Sequence, residues 1–239
     1  MAQRRIHGIR MKGDGSSSVY HNNTSCDSSN QFNGPVENVH LFCRRRTSKD
    51  DRCLQDLRTT DLEDDKVSIE EAQDRLLPDV SCWVLDNIDF KQWRDENNSR
   101  LLLIEGGRGK GKTMLLCGII DELRPGTKLA NNEFSTLLSF AFCQGQKATN
   151  VLRGLIYLLA SQQLSLVSCI QKKYNRAGKQ LFEDRNAWVA LSKILLKMLE
   201  DTRNQQVFLI VDGVDRLGAD AAGFIKLAQN SCQRFSHVK

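Results

Sequence analysis

Residues 106–113 combine glycines, basic residues and a threonine in a pattern that is typical of phosphate binding. The segment consists of Gly106, Gly107, Arg108, Gly109, Lys110, Gly111, Lys112 and Thr113, and it fits the P-loop pattern GxxxxGK[ST]. Glycines let the backbone turn so that its N–H groups point at a phosphate, and the N-terminus of a following helix adds its positive end. Lys112 is expected to reach the β- and γ-phosphates, and Thr113 to offer its hydroxyl to Mg²⁺.

The aspartate after residues 207–211 is a second candidate for the same chemistry. This run is continuously apolar, as a buried strand should be, and Asp212 follows it directly. An Asp at the carboxyl end of such a strand can hold Mg²⁺ and its water shell. Asp215 is the candidate catalytic residue that orients or activates the attacking water, and the alternative is that it caps a helix. We predict Thr113 and Asp212 as the metal ligands.

Two basic side chains within the glycine-rich segment leave two interpretations open. Arg108 and Lys110 either add attraction for the phosphates or point to solvent, and the second interpretation is favoured. The backbone at both positions still belongs to the predicted phosphate-binding loop.

Apolar runs and helical periodicities define the elements that must position these residues. Strands are predicted over 101–104, Thr136–Phe142 and 207–211. Helices are predicted over 61–77, 81–87, 89–93, 113–123, 151–162, 164–174, 187–199 and 219–228. Strands that alternate with helices predict an α/β fold with a parallel sheet, and with the phosphate-binding pattern they predict a three-layer P-loop NTPase.

Composition divides the chain into three parts. Between Gly13 and Gly34, thirteen of 22 residues are Gly, Ser or Asn, which predicts a low-complexity, disordered tail over residues 1–53. An alternative is a cross-β assembly motif, because the tract ends in apolar residues at 36, 39, 41 and 42. A helical linker is predicted over 54–80, and the P-loop NTPase domain, or its N-terminal part, over 81–239.

Charge and cysteine usage limit the classes of partner. The chain has 239 residues and a net charge of +5, and residues 1–53 hold nine basic and five acidic residues. The rest is therefore nearly neutral, which argues against a specific nucleic-acid partner. None of the eight cysteines forms a CxxC pair, so no zinc site is predicted. Free cysteines, short apolar runs and the lack of a signal-peptide pattern predict a cytoplasmic protein without a membrane span.

Longer stretches of the sequence resemble a known family. Residues 82–123 are similar to the start of the NACHT nucleotide-binding domain of fungal NLR-like proteins, which are also described as nephrocystin-like at the N-terminus. Residues 138–144, 150–163, 172–195 and 207–217 continue the similarity in the same order, so that it runs from about Leu54 to the C-terminus. The resemblance implies a STAND-type signalling NTPase that holds ADP, exchanges it for ATP on sensing a ligand, and then oligomerises. ATP or ADP with Mg²⁺ is the implied ligand, and the sequence does not exclude GTP.

Two features depart from the family pattern. Arg216 occupies the position after the second Asp, where the family has an acidic residue, and this predicts weak hydrolysis with nucleotide binding retained. The chain stops at Lys239, where the family continues into the next core strand and its sensor arginine. This stop predicts a sheet that is incomplete at the C-terminus, as in a fragment or a degenerate copy.

Three functional hypotheses follow from the sequence. The first is a purine-nucleotide-binding NACHT module, at most a weak NTPase, in a homo-oligomerising signalling, innate-immunity or self-recognition protein. The second is a non-hydrolysing scaffold or degenerate fragment whose N-terminal Asn/Gly/Ser tract mediates assembly. The third is a metabolic P-loop kinase, which is disfavoured because no second substrate site is visible.

Overall fold

The computed structural model describes residues 47–72, 79–95, 101–124 and 136–239. The tract at 13–42 that was interpreted as a disordered tail or an assembly motif lies outside the described residues. The C-terminal part of the predicted helical linker, over 73–78, lies outside them as well.

Two parallel strands form the sheet. β1 is Thr136–Phe142 and β2 is Gln206–Asp212, paired in register from Thr136 opposite Gln206 to Phe142 opposite Asp212. Every residue of β1 after Thr136 is buried. Both strands were predicted from their apolar runs, and both are confirmed. A parallel pair needs a long crossover, and here it consists of the helices between residues 148 and 201.

Residues 237–239 run beside the edge of β2 that faces away from β1. The Val207 N–H donates to the His237 carbonyl oxygen at 2.9 Å, and the Lys239 N–H donates to the Val207 carbonyl oxygen at 2.8 Å. In a strand, the N–H and C=O groups of one residue point to the same edge. Val207 therefore bonds residues 237 and 239, and the residues next to it in β2 bond β1. β2 is therefore hydrogen-bonded along both edges in its first half.

The predicted strand over 101–104 is wrong, because the structure gives these residues no strand pairing. Leu101 and Leu103 are 49% and 71% exposed, whereas Leu102 and Ile104 pack against the core. An apolar run becomes a strand only where a neighbouring strand offers free N–H and C=O groups. Among the described residues, none makes a backbone hydrogen bond to this run. The protein is thus α/β and mostly helical, and the three-layer arrangement remains a prediction.

Nine α-helices are found in the part of the chain that the structure describes. They are α1 Ser48–Leu57, α2 Leu62–Glu71, α3 Asp79–Asp86, α4 Ile88–Asp95, α5 Lys112–Leu123, α6 Ala148–Gln162, α7 Val167–Ala177, α8 Ala187–Asp201 and α9 Ala221–Arg234. Short 3₁₀ turns lie at Leu164–Leu166, Gly178–Phe182 and Val214–Asp220. No helix within these described ranges is both long and apolar enough to cross a membrane.

Helix α1 includes residues on both sides of position 53, where the disordered tail was predicted to end. A capping box starts it: the Thr47 N–H donates to the Asp50 carboxylate at 2.9 Å, and the Asp50 N–H donates to the Thr47 hydroxyl oxygen at 3.3 Å. Asp50 and Cys53 are buried. The helical region therefore begins at Ser48, and the assignment of residues 48–53 to a disordered tail is corrected.

Helix α6 is the centre of the core. It packs against β1 and α8, and the Ser139 hydroxyl of β1 donates to the Leu155 carbonyl oxygen at 2.9 Å. Its buried Arg153 donates to the carbonyl oxygens of Leu57 at 2.9 Å and Asp56 at 2.8 Å. Because the last carbonyls of a helix have no partner within it, this arginine satisfies the end of α1 and fixes α1 to α6.

Candidate functional site

The site lies where the carboxyl ends of the two strands meet the start of α5. Asp212 is the last residue of β2, and the Cys143 N–H donates to the Asp212 carbonyl oxygen at 2.9 Å. This hydrogen bond extends the pairing of the two strands to the end of β2. The backbone that carries the Asp212 carboxylate is therefore held by the sheet.

Helix α5 begins directly after the glycine-rich segment. Gly109 and Gly111 both have a φ of +76°, a left-handed conformation that favours glycine. Gly111 is the N-cap of α5 and makes no side-chain capping bond. The first N–H groups of a helix have no acceptor within the helix, so those at this end of α5 are suited to bind an anion.

A hydrogen bond joins the two predicted metal ligands. The Thr113 hydroxyl donates to the Asp212 carboxylate at 2.8 Å, although 99 positions separate these residues in the chain. Mg²⁺ binds oxygen ligands at about 2.0–2.1 Å in octahedral geometry, so neighbouring ligands lie about 2.9 Å apart. Two hard oxygen atoms at 2.8 Å therefore fit adjacent positions around such an ion. Thr113 and Asp212 are the residues that would hold it.

The Lys112 side chain folds back over its own loop. Its ammonium nitrogen donates to the carbonyl oxygens of Gly106 at 2.6 Å and Gly107 at 2.9 Å. The loop from 106 to 111 is otherwise exposed along its whole length. The ammonium group therefore lies over the residues that are expected to surround a phosphate, and its partners are backbone carbonyls rather than a carboxylate.

Arg108 and Lys110 are both exposed. Within the described ranges, neither side chain makes a hydrogen bond or ion pair to protein. Both side chains therefore face solvent in this structure, and attraction of phosphate by them stays a prediction.

Asp215 lies in the turn that follows β2, and its side chain is exposed. It caps neither neighbouring element, because Gly213 precedes the turn and Asp220 precedes α9. The alternative interpretation as a helix cap is therefore wrong. Arg216 is also exposed, and its N–H donates to the Gly213 carbonyl oxygen at 2.8 Å. The structure thus places Asp215 and Arg216 side by side just beyond Asp212, without a hydrogen bond from Asp215 to either predicted metal ligand.

The pKa values of two buried cysteines reflect the negative charge around Asp212. The pKa of Cys143 is raised to about 11, mostly by burial and then by the nearby Asp212 and Asp215, while Arg216 acts to lower it. Burial likewise raises the pKa of Cys117 in α5 to about 11. Both thiols are therefore neutral at pH 7. The negative charge beside Thr113 belongs to carboxylates, which suits a cation.

Gly213 is a site residue that the sequence analysis missed. Its φ is +70°, and a Cβ added there would lie 2.9 Å from the Cys143 carbonyl oxygen. The close approach fixes the turn between Asp212 and Asp215. The available signal was a glycine directly after the aspartate that ends a buried strand.

Comparison with known proteins gives two matches. Residues 80–239 match the family described as nephrocystin 3, N-terminal. The chain is 47% identical over 201 residues to the vegetative incompatibility protein HET-E-1 of Podospora anserina. That match covers 82% of this chain but 14% of the fungal protein, so the chain spans a small part of its relative. No solved structure matches the chain.

Proposed function

Because the chain belongs to the nephrocystin 3 N-terminal family and is of the fungal NACHT type, we propose that it is the nucleotide-binding part of a self-recognition signalling protein. In this proposal the chain binds ATP or ADP with Mg²⁺, hydrolyses ATP weakly, and uses the bound nucleotide as a switch. The self-recognition role is suggested by the name of the fungal relative, a vegetative incompatibility protein. A cytoplasmic location and homo-oligomerisation belong to the same proposal.

One observation carries the proposal: the 2.8 Å hydrogen bond between Thr113 and Asp212. It joins the two sequence motifs that were predicted to bind phosphate and metal. Mg²⁺ at this position would neutralise phosphate charge and fix the orientation of the phosphate oxygens. Lys112 would exchange its loop carbonyls for phosphate oxygens, and the N–H groups at the start of α5 would point at the same anion.

The positions of Asp215 and Arg216 support the proposal that hydrolysis is weak. Asp215 is the predicted carboxylate for orienting a water molecule, and it is exposed in a turn. The next residue is Arg216, whose positive charge disfavours a proton-accepting role at that position. Nucleotide binding and hydrolysis therefore depend on different residues, because Lys112, Thr113 and Asp212 do not depend on the Arg216 side chain.

Calorimetric titration of the purified chain with ATP and with ADP, each with Mg²⁺, tests the proposal. Replacing Lys112 by Ala should weaken binding by about 10- to 100-fold, because a hydrogen bond from a charged donor is lost. Lys49→Ala is the control, because it removes an exposed positive charge outside the loop, and it should bind much as the wild type does. Equal affinity of the wild type and the Lys112→Ala variant would overturn the site assignment.

A non-hydrolysing scaffold is the second candidate function, and Arg216 is the observation that favours it. In that case the chain would not turn over ATP. Release of phosphate from ATP by the purified chain with Mg²⁺ would exclude it.

A further inference from the structure

An open groove lies between α8 and α9 and encloses about 670 Å³. Apolar side chains contribute much of its lining, with Trp188 and Leu196 from α8 and Leu227 from α9. Val189, also in the lining, is 51% exposed. A Cβ added at Gly223 would have the Trp188 ring as its one neighbour within 4 Å. The small residue at position 223 therefore leaves space in the groove beside α9. We call this surface the α8–α9 groove.

The groove is positively charged. Its lining includes Lys193 and Lys226, which are exposed, and none of the described residues that line it is an Asp or Glu. Neither lysine forms a salt bridge with any residue that the structure describes. Lys173 lies close by, since burial lowers its pKa and the charge of Lys193 lowers it further. An apolar surface flanked by unpaired lysines favours a partner that carries apolar and acidic side chains together.

The chain itself presents such a surface on α2. Positions 64, 67, 68 and 71 share one face of a helix, because they follow the i, i+3, i+4, i+7 spacing. At these positions stand Asp64, Val67, Ser68 and Glu71, all exposed, and Val67 is 46% exposed. Asp64 and Glu71 have no ion-pair partner within the described part of the chain. We call this surface the acidic α2 face.

The other acidic residues of α2 are used within the molecule. Glu63 binds Arg124, Asp65 accepts from the Thr60 hydroxyl, and Glu70 binds Lys66. Of these contacts, the one between Glu63 and Arg124 joins α2 to the end of α5, and the acidic α2 face is exposed. The charges that could meet a partner are therefore those of Asp64 and Glu71.

We propose that the acidic α2 face of one copy docks into the α8–α9 groove of a second copy. Lys193 and Lys226 would pair with Asp64 and Glu71, and Val67 would cover apolar lining of the groove. The two surfaces differ, so the contact is head-to-tail and leaves one of each surface free for further copies. One helix face is smaller than the roughly 800 Å² per partner of a stable interface, so the association is weak, in the micromolar range or above.

This contact uses none of the residues of the candidate nucleotide site. The Lys112→Ala variant should therefore associate as the wild type does in the absence of nucleotide. Loss of nucleotide binding and loss of association are thus separate outcomes.

Sedimentation velocity over a wide concentration range tests the proposal by charge reversal. The wild type should shift from monomer to larger species as concentration rises. The variant with Lys193→Glu and Lys226→Glu should stay monomeric, as should the variant with Asp64→Lys and Glu71→Lys. An equimolar mixture of the two variants should associate again, because the reversed charges are complementary.

A matched variant and a cross-linking experiment complete the test. Lys49→Glu with Arg185→Glu reverses two exposed charges outside both surfaces and should leave association unchanged. Zero-length carbodiimide cross-linking of mixed isotope-labelled and unlabelled wild type should join Lys193 of one copy to Glu71 or Asp64 of another. A monomeric wild type, a mixture that stays monomeric, or cross-links that avoid these residues would overturn the proposal.

Discussion

The ammonium nitrogen of Lys66 lies 2.8 Å from the Asp121 carboxylate and so joins α2 to α5. Lys66 is buried, and it also binds Glu70. A second ion pair, between Arg124 and Glu63 at 2.6 Å, connects the same part of the molecule. Because α5 starts at the glycine-rich loop, these contacts attach α2 to the helix that carries Thr113.

Replacing Lys66 by Met should lower the free energy of unfolding by about 1–2 kcal/mol. This is less than for a fully buried pair, because Asp121 is half exposed. Lys197→Met is the control: its two ion pairs are at the surface, and their loss should change the stability very little. Urea unfolding at pH 7 measures both, and equal losses would contradict the structural role given to Lys66.

Wild-type stability should fall at high pH because of Lys66. Burial lowers the pKa of Lys66, but hydrogen bonds to Asp121 and Glu70 outweigh it, so the pKa lies above the ordinary value of 10.5. The contribution is therefore complete below 10.5 and is lost as pH rises through the raised pKa. The Lys66→Met variant should lack this part of the alkaline loss, and a Lys197→Met variant should keep it.

Stability should also fall below neutral pH because of His237. Its Nε2 lies 2.9 Å from the Leu199 carbonyl oxygen. Burial lowers the pKa of His237 below 6.5 and the charge of Arg203 adds to this, although the Leu199 hydrogen bond raises it. The folded state then binds the proton less well than the unfolded state, so stability decreases as pH falls through 6.5 toward the lowered pKa.

Urea midpoints between neutral and mildly acidic pH measure this effect. A His237→Gln variant keeps a donor for Leu199 but cannot titrate, so its midpoint should change less over this range than that of the wild type. Parallel curves for the two proteins would assign the acid sensitivity to other groups.

Alanine at Gly213 should destabilise the protein by about 1–3 kcal/mol, because a residue with a Cβ is strained at its positive φ and would meet the Cys143 carbonyl oxygen. Gly145→Ala is the control, since Gly145 has a φ of +84° but no atom within 4 Å of an added Cβ. The difference between the two variants isolates the steric contact. If the Gly145→Ala variant lost as much stability, the contact with the Cys143 carbonyl oxygen would not contribute to the destabilisation.

Glutamate at position 216 should raise the rate of ATP hydrolysis by about tenfold or more, because it replaces a guanidinium with a potential proton acceptor beside Asp215. Arg185→Glu makes the same charge change on an exposed residue outside the site and should leave the rate unchanged. The rate of phosphate release at saturating ATP and Mg²⁺ measures hydrolysis in both variants. An unchanged rate in the Arg216→Glu variant would show that Arg216 does not limit hydrolysis.

The strands show what local sequence can and cannot predict. Thr136–Phe142 was predicted with its observed bounds, because both faces of that strand are buried and its residues are mostly apolar, with Ser139 between them. Residues 101–104 carry an equally apolar run, yet they form no strand. Strand formation depends on a neighbour that is distant in sequence, and a run of residues contains no information about that neighbour.

The helix starts show a second kind of limit. Helix α1 was missed because the composition of residues 13–34 was extended to residue 53, whereas Thr47 and Asp50 already marked a capping box. In the candidate site, the approach of Thr113 to Asp212 follows from the two motifs. The folding of Lys112 onto Gly106 and Gly107 does not, because it depends on loop geometry. Nucleotide and metal binding remain predictions.

The pairing of β2 along both edges has a consequence for how a ligand would be received. Asp212 ends a strand held by β1 on one side and by residues 237–239 on the other, whereas the loop at 106–111 is exposed and held mainly by the Lys112 side chain. In the proposed nucleotide complex, the Asp212 side of the site would already be in place before the ligand binds, and the loop would reorganise around the ligand. The entropic cost of binding falls on the glycines, so substitutions that stiffen the loop should change association rates more than substitutions around β2.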